Sequence, residues 1–360
     1  MSAQFHIQIR SRLALIGQVA LAWLILGCTG LYADDVNLVS GAHFEQAIGG
    51  RVRGQVQSES ATEVAVALGA NVTKVPTELI QSIRYDGQSA SFALAEAREA
   101  AGQLAEAAEQ FKKAAAESTG KPYPMQAALF REAEVLTDLA AVEPDRVKEA
   151  KDKLTKFNRE YPSSRHTLSA RACLARIQLA SGDFPAAEAA VADLAALPKG
   201  AERAAVLRTK LLARQNKHKE AVAELDKLIA GAPKGSERLR AAQLAKAESL
   251  AAMKDFTKAE ALLRDVIQAT PPEDAAGQAP AYNTLGDCLR AANRPKDALI
   301  AYLHTDELYS KAKEEHPRAL HQISLLFRQL KQDGRADDYA QRLKLEYPRS
   351  RWATARAGEG

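Results

Sequence analysis

The chain has 360 residues, of which 46% are hydrophobic, 6% aromatic and 26% charged, with a formal net charge of +4. That length exceeds one ordinary domain, so a repeat array or two to three domains is expected. Lys and Arg are interspersed with Asp and Glu instead of gathering in a block or tail, which argues against nucleic acid as a partner.

Residues 1–33 read as a targeting segment, to be set aside from the fold as a signal peptide. Arg10 and Arg12 give a positive start, and residues 13–26 are almost entirely apolar. The run is about fourteen residues, short of the roughly 20 that a spanning helix needs. Three fates are open: cleavage after Ala33, lipidation at Cys28, or retention as an uncleaved anchor. The lipidation reading rests on Ile25-Leu26-Gly27-Cys28, which resembles a bacterial lipobox. In all three the body of the protein is exported to the periplasm or cell envelope, and membrane association would run through this segment. Cys173 and Cys288 lie far apart within helical patterns and read as small buried thiols, not as a disulfide.

Residues 34–87 have strand texture. Val52, Gly54 and Val56 alternate with Arg51, Arg53, Gln55 and Gln57, the period of a half-buried strand. Val64, Val66 and Leu68 alternate likewise, Gly69-Ala70-Asn71 supplies a turn, and Asp86-Gly87 closes the segment. Four or five short strands in so few residues predict a small, strongly bent β-barrel-like module. The order of Gly50 to Val56, Val75-Pro76 and Ile83-Arg84-Tyr85 resembles SH3-like and Sm-like barrels. Arg51, Arg53, Lys74 and Arg84 fit a solvated face better than an RNA-binding one.

From Ser89 one pattern recurs, so residues 88–356 read as an array of six to seven helical hairpins. Ala has the highest helix propensity and lets helices approach closely. Ala107, Ala150, Ala187, Ala221, Ala259 and Ala298 recur 34 to 43 residues apart, each followed by larger apolar residues and then by Pro. Tyr282, Leu285, Gly286, Ala298 and Tyr302 form the fullest unit, and a degenerate last one has Gly334 at its expected turn. This pattern resembles the tetratricopeptide repeat, in which paired helices pack through small residues and stack as a solenoid. Tyr161-Pro162-Ser163-Ser164-Arg165 and Tyr347-Pro348-Arg349-Ser350 resemble the repeats of envelope proteins in outer-membrane assembly and Tol–Pal complexes. They also fit plain loop chemistry, Pro ending one helix and Ser capping the next. The fold class is therefore mainly α, a solenoid of such hairpins behind a small β module.

No catalytic constellation is legible. The histidines are scattered, and no H-E-x-x-H, G-x-S-x-G or C-x-x-C motif occurs. No cofactor or metal is expected, and the chain reads as a non-enzyme. The resemblance implies a superhelix whose first helices line a concave face that binds proteins or peptides. The family's groove positions fall on Arg176, Arg203, Lys210, Arg214, Asn283 and Arg290. These cations suit an acidic segment or a C-terminal carboxylate. The alternative is a cell-wall- or carbohydrate-associated structural protein, with the β module as binder and the repeats as spacer.

Overall fold

The computed structural model describes residues 33–140, 143–313, 315–348 and 350–354. Residues 1–32, on which most of the expected signal peptide and the expected lipidation at Cys28 fall, lie outside them. Among the described residues no helix is long and apolar enough to cross a membrane.

Five antiparallel strands come first: β1 (Asp34–Leu38), β2 (Arg51–Glu59), β3 (Glu63–Leu68), β4 (Asn71–Pro76) and β5 (Ile80–Arg84), in the order β4-β3-β2-β1-β5. A short 3-10 turn, Thr77–Leu79, joins β4 to β5. The long β2 is shared. Its first half pairs with β1, Val52 opposite Val36, and its second half pairs with β3, Val56 opposite Val66. The β2 alternation holds as read: Val52, Gly54 and Val56 are buried while Arg51, Arg53 and Gln55 face water. Gly54 has to be glycine, because a Cβ there would stand 2.3 Å from the Ala67 carbonyl oxygen. Arg53 lies 3.7 Å from Asp35 and Lys74 2.7 Å from Glu63, so part of the basic strand face is ion-paired.

Among the described residues fourteen helices follow as seven hairpins, then a terminal turn. The pairs are α1 (Ala90–Ala100) with α2 (Leu104–Glu117), α3 (Pro122–Leu139) with α4 (Val147–Glu160), and α5 (Thr167–Ala180) with α6 (Phe184–Ala196). Next come α7 (Ala201–Arg214) with α8 (His218–Gly231), α9 (Glu237–Ala252) with α10 (Phe256–Ala269), and α11 (Ala275–Ala291) with α12 (Pro295–Tyr309). The last are α13 (His316–Gln329) with α14 (Asp333–Glu346), then the short α15 (Arg351–Thr354). The recurring alanines do what their size allows. Ala107, Ala150, Ala221, Ala259 and Ala298 are all fully buried.

The chain divides into two compact units, residues up to 139 with 148–170, and residues 140–147 with those from 171 onward. The first unit contains the sheet and two hairpins. Phe92 meets Phe111 edge-on at 5.1 Å, and Phe130 stacks on the buried His166 at 4.6 Å. The sheet is tied to the helices by Tyr123 Oη donating to the Gln57 carbonyl at 3.0 Å and Lys121 Nζ donating to the Gly87 carbonyl at 2.8 Å.

In the second unit each first helix touches the next first helix as well as its own partner: α11 packs on α10 and α12 and also meets α9 and α13. Gly286 of α11 faces the fully buried ring of Tyr302, and a Cβ would come within 2.6 Å of it. Cys173 and Cys288 are both buried thiols.

The turn inside six of the seven hairpins has one geometry. A residue with positive φ follows the first helix: Gly102, Gly182, Asn216, Lys254, Asn293 and Lys331. The next amide reaches back five residues, as in Asp255 N to Leu250 O and Gln332 N to Phe327 O, both 2.9 Å. This is the Schellman cap, which satisfies carbonyls left open at a helix end. It corrects the expected role of Gly334. That residue lies within α14, and the left-handed turn position of the last hairpin is Lys331.

Candidate binding face

The expected groove residues fall mostly on first helices of the second unit. Arg203, Lys210 and Arg214 are exposed and spaced seven and four apart, so they form one stripe of α7. Arg176 of α5 is also exposed, and neither it nor Arg203 is without an interaction partner. Asn283 and Arg290 belong to a second stripe, on α11, that includes Asp287.

Asn283 does not stand open on a groove. It is fully buried, and its Nδ2 donates to the Glu315 backbone carbonyl at 3.0 Å and to Glu315 Oε2 at 2.7 Å. Its Oδ1 meets no donor. Arg290 is exposed and lies 4.0 Å from Asp287.

The structure gathers acidic residues that the sequence reading passed over. Asp287 accepts hydrogen bonds from Tyr302 Oη and from Arg318 of α13. Arg318 Nη1 also contacts Glu315 at 3.3 Å. Burial lowers the Arg318 guanidinium, but Asp287 and Glu315 outweigh that and hold it more firmly charged than usual. Glu248 of α9 is exposed, yet its carboxyl is raised above the ordinary range. Desolvation is the main cause; Arg318 pulls the value down, Asp287 pushes it up, and Lys210 and Glu315 act more weakly in the same two senses. Asp287, Arg318 and Glu315 form one ion-paired cluster between α11 and the start of α13, and Glu248 and Lys210 lie on the preceding first helices, α9 and α7. Sequence spacing could have placed Asp287 there, since it sits one turn after Asn283. Nothing in the sequence joins Glu248 and Glu315 to it.

Two further clusters combine titratable groups. His316 Nε2 contacts Asp306 Oδ1 at 2.8 Å and His316 Nδ1 contacts Tyr347 Oη at 2.7 Å. Arg342 reaches both Asp306 oxygens, at 3.0 and 3.2 Å. Burial alone would raise the Asp306 carboxyl, but the hydrogen bonds from His316 and Arg342 hold it at about 2. Both His316 and Asp306 side chains are 2% exposed, so substrate cannot reach them; the cluster ties α12 to α13 and α14.

In the first unit, Glu59 accepts from Tyr85 Oη and lies 3.3 Å from Arg165 Nε. Burial raises the Glu59 carboxyl, and the charge of Arg165 and the Tyr85 hydroxyl oppose it. This is also an enclosed joint. It gives the Tyr-Pro-Ser-Ser-Arg segment a duty beyond loop chemistry.

A cavity of about 450 Å³ lies among α10, α11 and α12, with Ile267, Tyr282, Leu289 and Ile300 in its wall. The arginines at its rim, Arg264 and Arg294, are both bound to Glu260, and Arg294 also to Asp297. Among the described residues no group of His, Cys, Asp and Glu could hold a metal ion.

A tetratricopeptide-repeat family model matches residues 77–122 and 174–236. No protein of curated function matches the chain. Among solved structures, a tetratricopeptide-repeat protein from Parabacteroides merdae superposes with a TM-score of 0.51 at 13% identity, over 73% of this chain and 94% of that one. The type IV pilus biogenesis factor PilW gives 0.41 at 21% identity, over 62% and 96% of the two chains. Pseudomonas aeruginosa PilF gives 0.40 at 18%, over 64% and 95%.

Proposed function

We propose that this chain, part of which matches a tetratricopeptide-repeat family model, is an exported, non-enzymatic scaffold that holds protein partners on the first-helix face of its second unit. Its working parts are a leader over residues 1–33, the β module over 34–87 and the repeat array over 88–356. The leader and export rest on Arg10, Arg12 and the apolar run 13–26. A place in the cell envelope fits that leader.

The observation that carries the binding reading is the state of the face itself. Lys210 and Glu248 stand exposed on neighbouring first helices, and among the described residues neither makes an ion pair. Several other charged residues of these helices are paired: Arg238 with Glu202 at 2.6 Å, Lys246 with Asp226 at 2.5 Å, and Arg240 with Asp274 at 3.1 Å. Exposed side chains left unpaired are available for a partner's charge-assisted hydrogen bonds. On α7, Lys210 and Arg214 suit an acidic residue of that partner.

The test is a crosslinking pull-down from native envelope, comparing the intact protein with a triple variant, Arg203→Glu, Lys210→Glu and Arg214→Glu. Partners lost in the triple variant support the face. An unchanged partner set would remove α7 from it. Retention on purified cell wall without protein partners would favour a structural role for the β module instead.

A further inference from the structure

The cavity among α10, α11 and α12 takes no residue from α7 or α9, the helices that carry the face proposed above. Its volume of about 450 Å³ falls within the range of ligand pockets. Ile267, Leu285, Leu289 and Ile300 make the wall apolar, and Tyr282 and His304 add two rings. Ile300 is 54% exposed. Eight residues on, Leu308 is 64% exposed, with His304 midway, so an apolar strip runs out of the cavity along α12. Eight helical residues cover about 12 Å. A strip that continues past the cavity suits a chain segment better than a small molecule.

The rim decides what kind of segment. Arg264 and Arg294 both donate to Glu260 at 2.7 Å, and Arg294 Nε donates to Asp297 at 2.7 Å. Two cations and two carboxylates thus satisfy one another. A charged occupant would have to break these pairs or give up its water against an apolar wall, and both are costly. An uncharged apolar side chain meets neither penalty.

His304 adds direction. Its Nδ1 lies 2.8 Å from the Ile300 carbonyl oxygen, which can only accept, so Nδ1 carries a proton. In the neutral ring Nε2 is then an acceptor. Among the described residues no donor meets it, and it is not enclosed. Tyr282 stacks on the imidazole at 4.6 Å and 8°, which fixes the plane of the ring. A held ring with one open acceptor in an apolar wall calls for an aromatic group with one hydrogen to donate.

We propose that this cavity binds a tryptophan side chain of an extended partner segment, its indole N–H donating to His304 Nε2, with a leucine four residues along resting on Leu308. Tryptophan combines a large apolar surface with a single donor and no acceptor. In an extended chain, residues four apart lie on one side at a separation of about 13 Å, which matches the strip.

The test uses the full chain and fluorescein-labelled nine-residue peptides of Ser and Gln, read by fluorescence anisotropy. Each carries a variable residue and, four positions on, Leu. Trp at the variable position should bind about tenfold tighter than Ala or Asp. A 1-methyltryptophan peptide keeps the ring but loses the N–H, and should bind about three- to tenfold more weakly than Trp. His304→Phe keeps a ring against Tyr282 and should remove the difference between Trp and 1-methyltryptophan. Ile300→Lys, at an exposed position, should weaken the Trp peptide about tenfold. Leu308→Lys should reduce the Trp–Leu peptide to the affinity of a Trp–Ser peptide. Far-UV circular dichroism of the three variants should match that of the intact protein.

Trp peptides that bind no tighter than Ala peptides overturn the assignment, and so does the absence of any binding. A Trp preference that survives both Ile300→Lys and His304→Phe puts the ring elsewhere and overturns it as well. Each of these results leaves the first-helix face untouched, because the triple variant tests that face separately.

Discussion

Arg165 belongs to a segment whose sequence signals a loop, and the loop reading is correct as far as it goes. Ser164 and Thr167 make the local bonds such a turn needs. The arginine does something the local pattern cannot reveal: it reaches Glu59 at the end of β2, with side-chain exposures of 11% and 1%. Removing one partner of a buried pair leaves the other charge without compensation, so Arg165→Ala should cost about 3–5 kcal/mol at neutral pH. The folded Glu59 carboxyl is already raised, because burial disfavours its charged form. A raised carboxyl contributes stability that is complete below its unfolded value near 4.5 and is lost as pH rises through the folded value. Losing Arg165 raises the folded value further. The deficit of the variant should therefore be largest at pH 7 and shrink as pH falls toward 5. Urea midpoints of both proteins at the two pH values check this, and an equal deficit at both would contradict it.

Among the helices, the repeating element is a hairpin closed by a left-handed residue, and its chemistry explains what was legible. Gly102 and Gly182 announce their turns, since glycine adopts positive φ without a Cβ clash. Lys254 and Lys331 occupy the same position with φ of 64° and 61°, and a lysine gives no such signal. Gly334, three residues on, looked like the turn and is not. A non-glycine residue in this region costs roughly 1–2 kcal/mol, part of which glycine gives back through greater unfolded-chain entropy. Lys331→Gly should therefore stabilise the protein by about 0.5–1 kcal/mol in thermal or urea unfolding. In contrast, Lys227→Gly, at an exposed position inside α8, should destabilise by about 1 kcal/mol. A loss of stability at Lys331 equal to that at Lys227 would remove the cap argument. Further along the array, the contact between α12 and α13 depends on Asp306 and His316, residues ten apart that lie in different hairpins. Their pairing was invisible because both types are scattered along the chain and no motif spacing joins them.

At the scale of the molecule, an array whose hairpins touch mainly their neighbours has stability that spreads along it as local terms instead of concentrating in one core. With two compact units, unfolding should depart from a single two-state transition. The chain has two tryptophans, and in a Trp23→Phe background Trp352 reports the C-terminal end, where it packs near His321 at 5.4 Å. Its fluorescence transition in urea should differ in midpoint from the far-UV circular dichroism transition, which averages over all helices. Coincident curves would mean that the units unfold together. The sequence by itself determined the class of fold: the alternation of Val52, Gly54 and Val56, and the alanines from Ala107 to Ala298, are periodic, and periodicity is what a strand or a helix imposes on its own residues. It also pointed to the helices of the proposed binding face, because repeats place equivalent residues on equivalent surfaces. Only the tertiary structure decided the charge of that face. Asp287 meets Arg318 there, and through it Glu315, residues of a different hairpin that become its neighbours only when the hairpins stack.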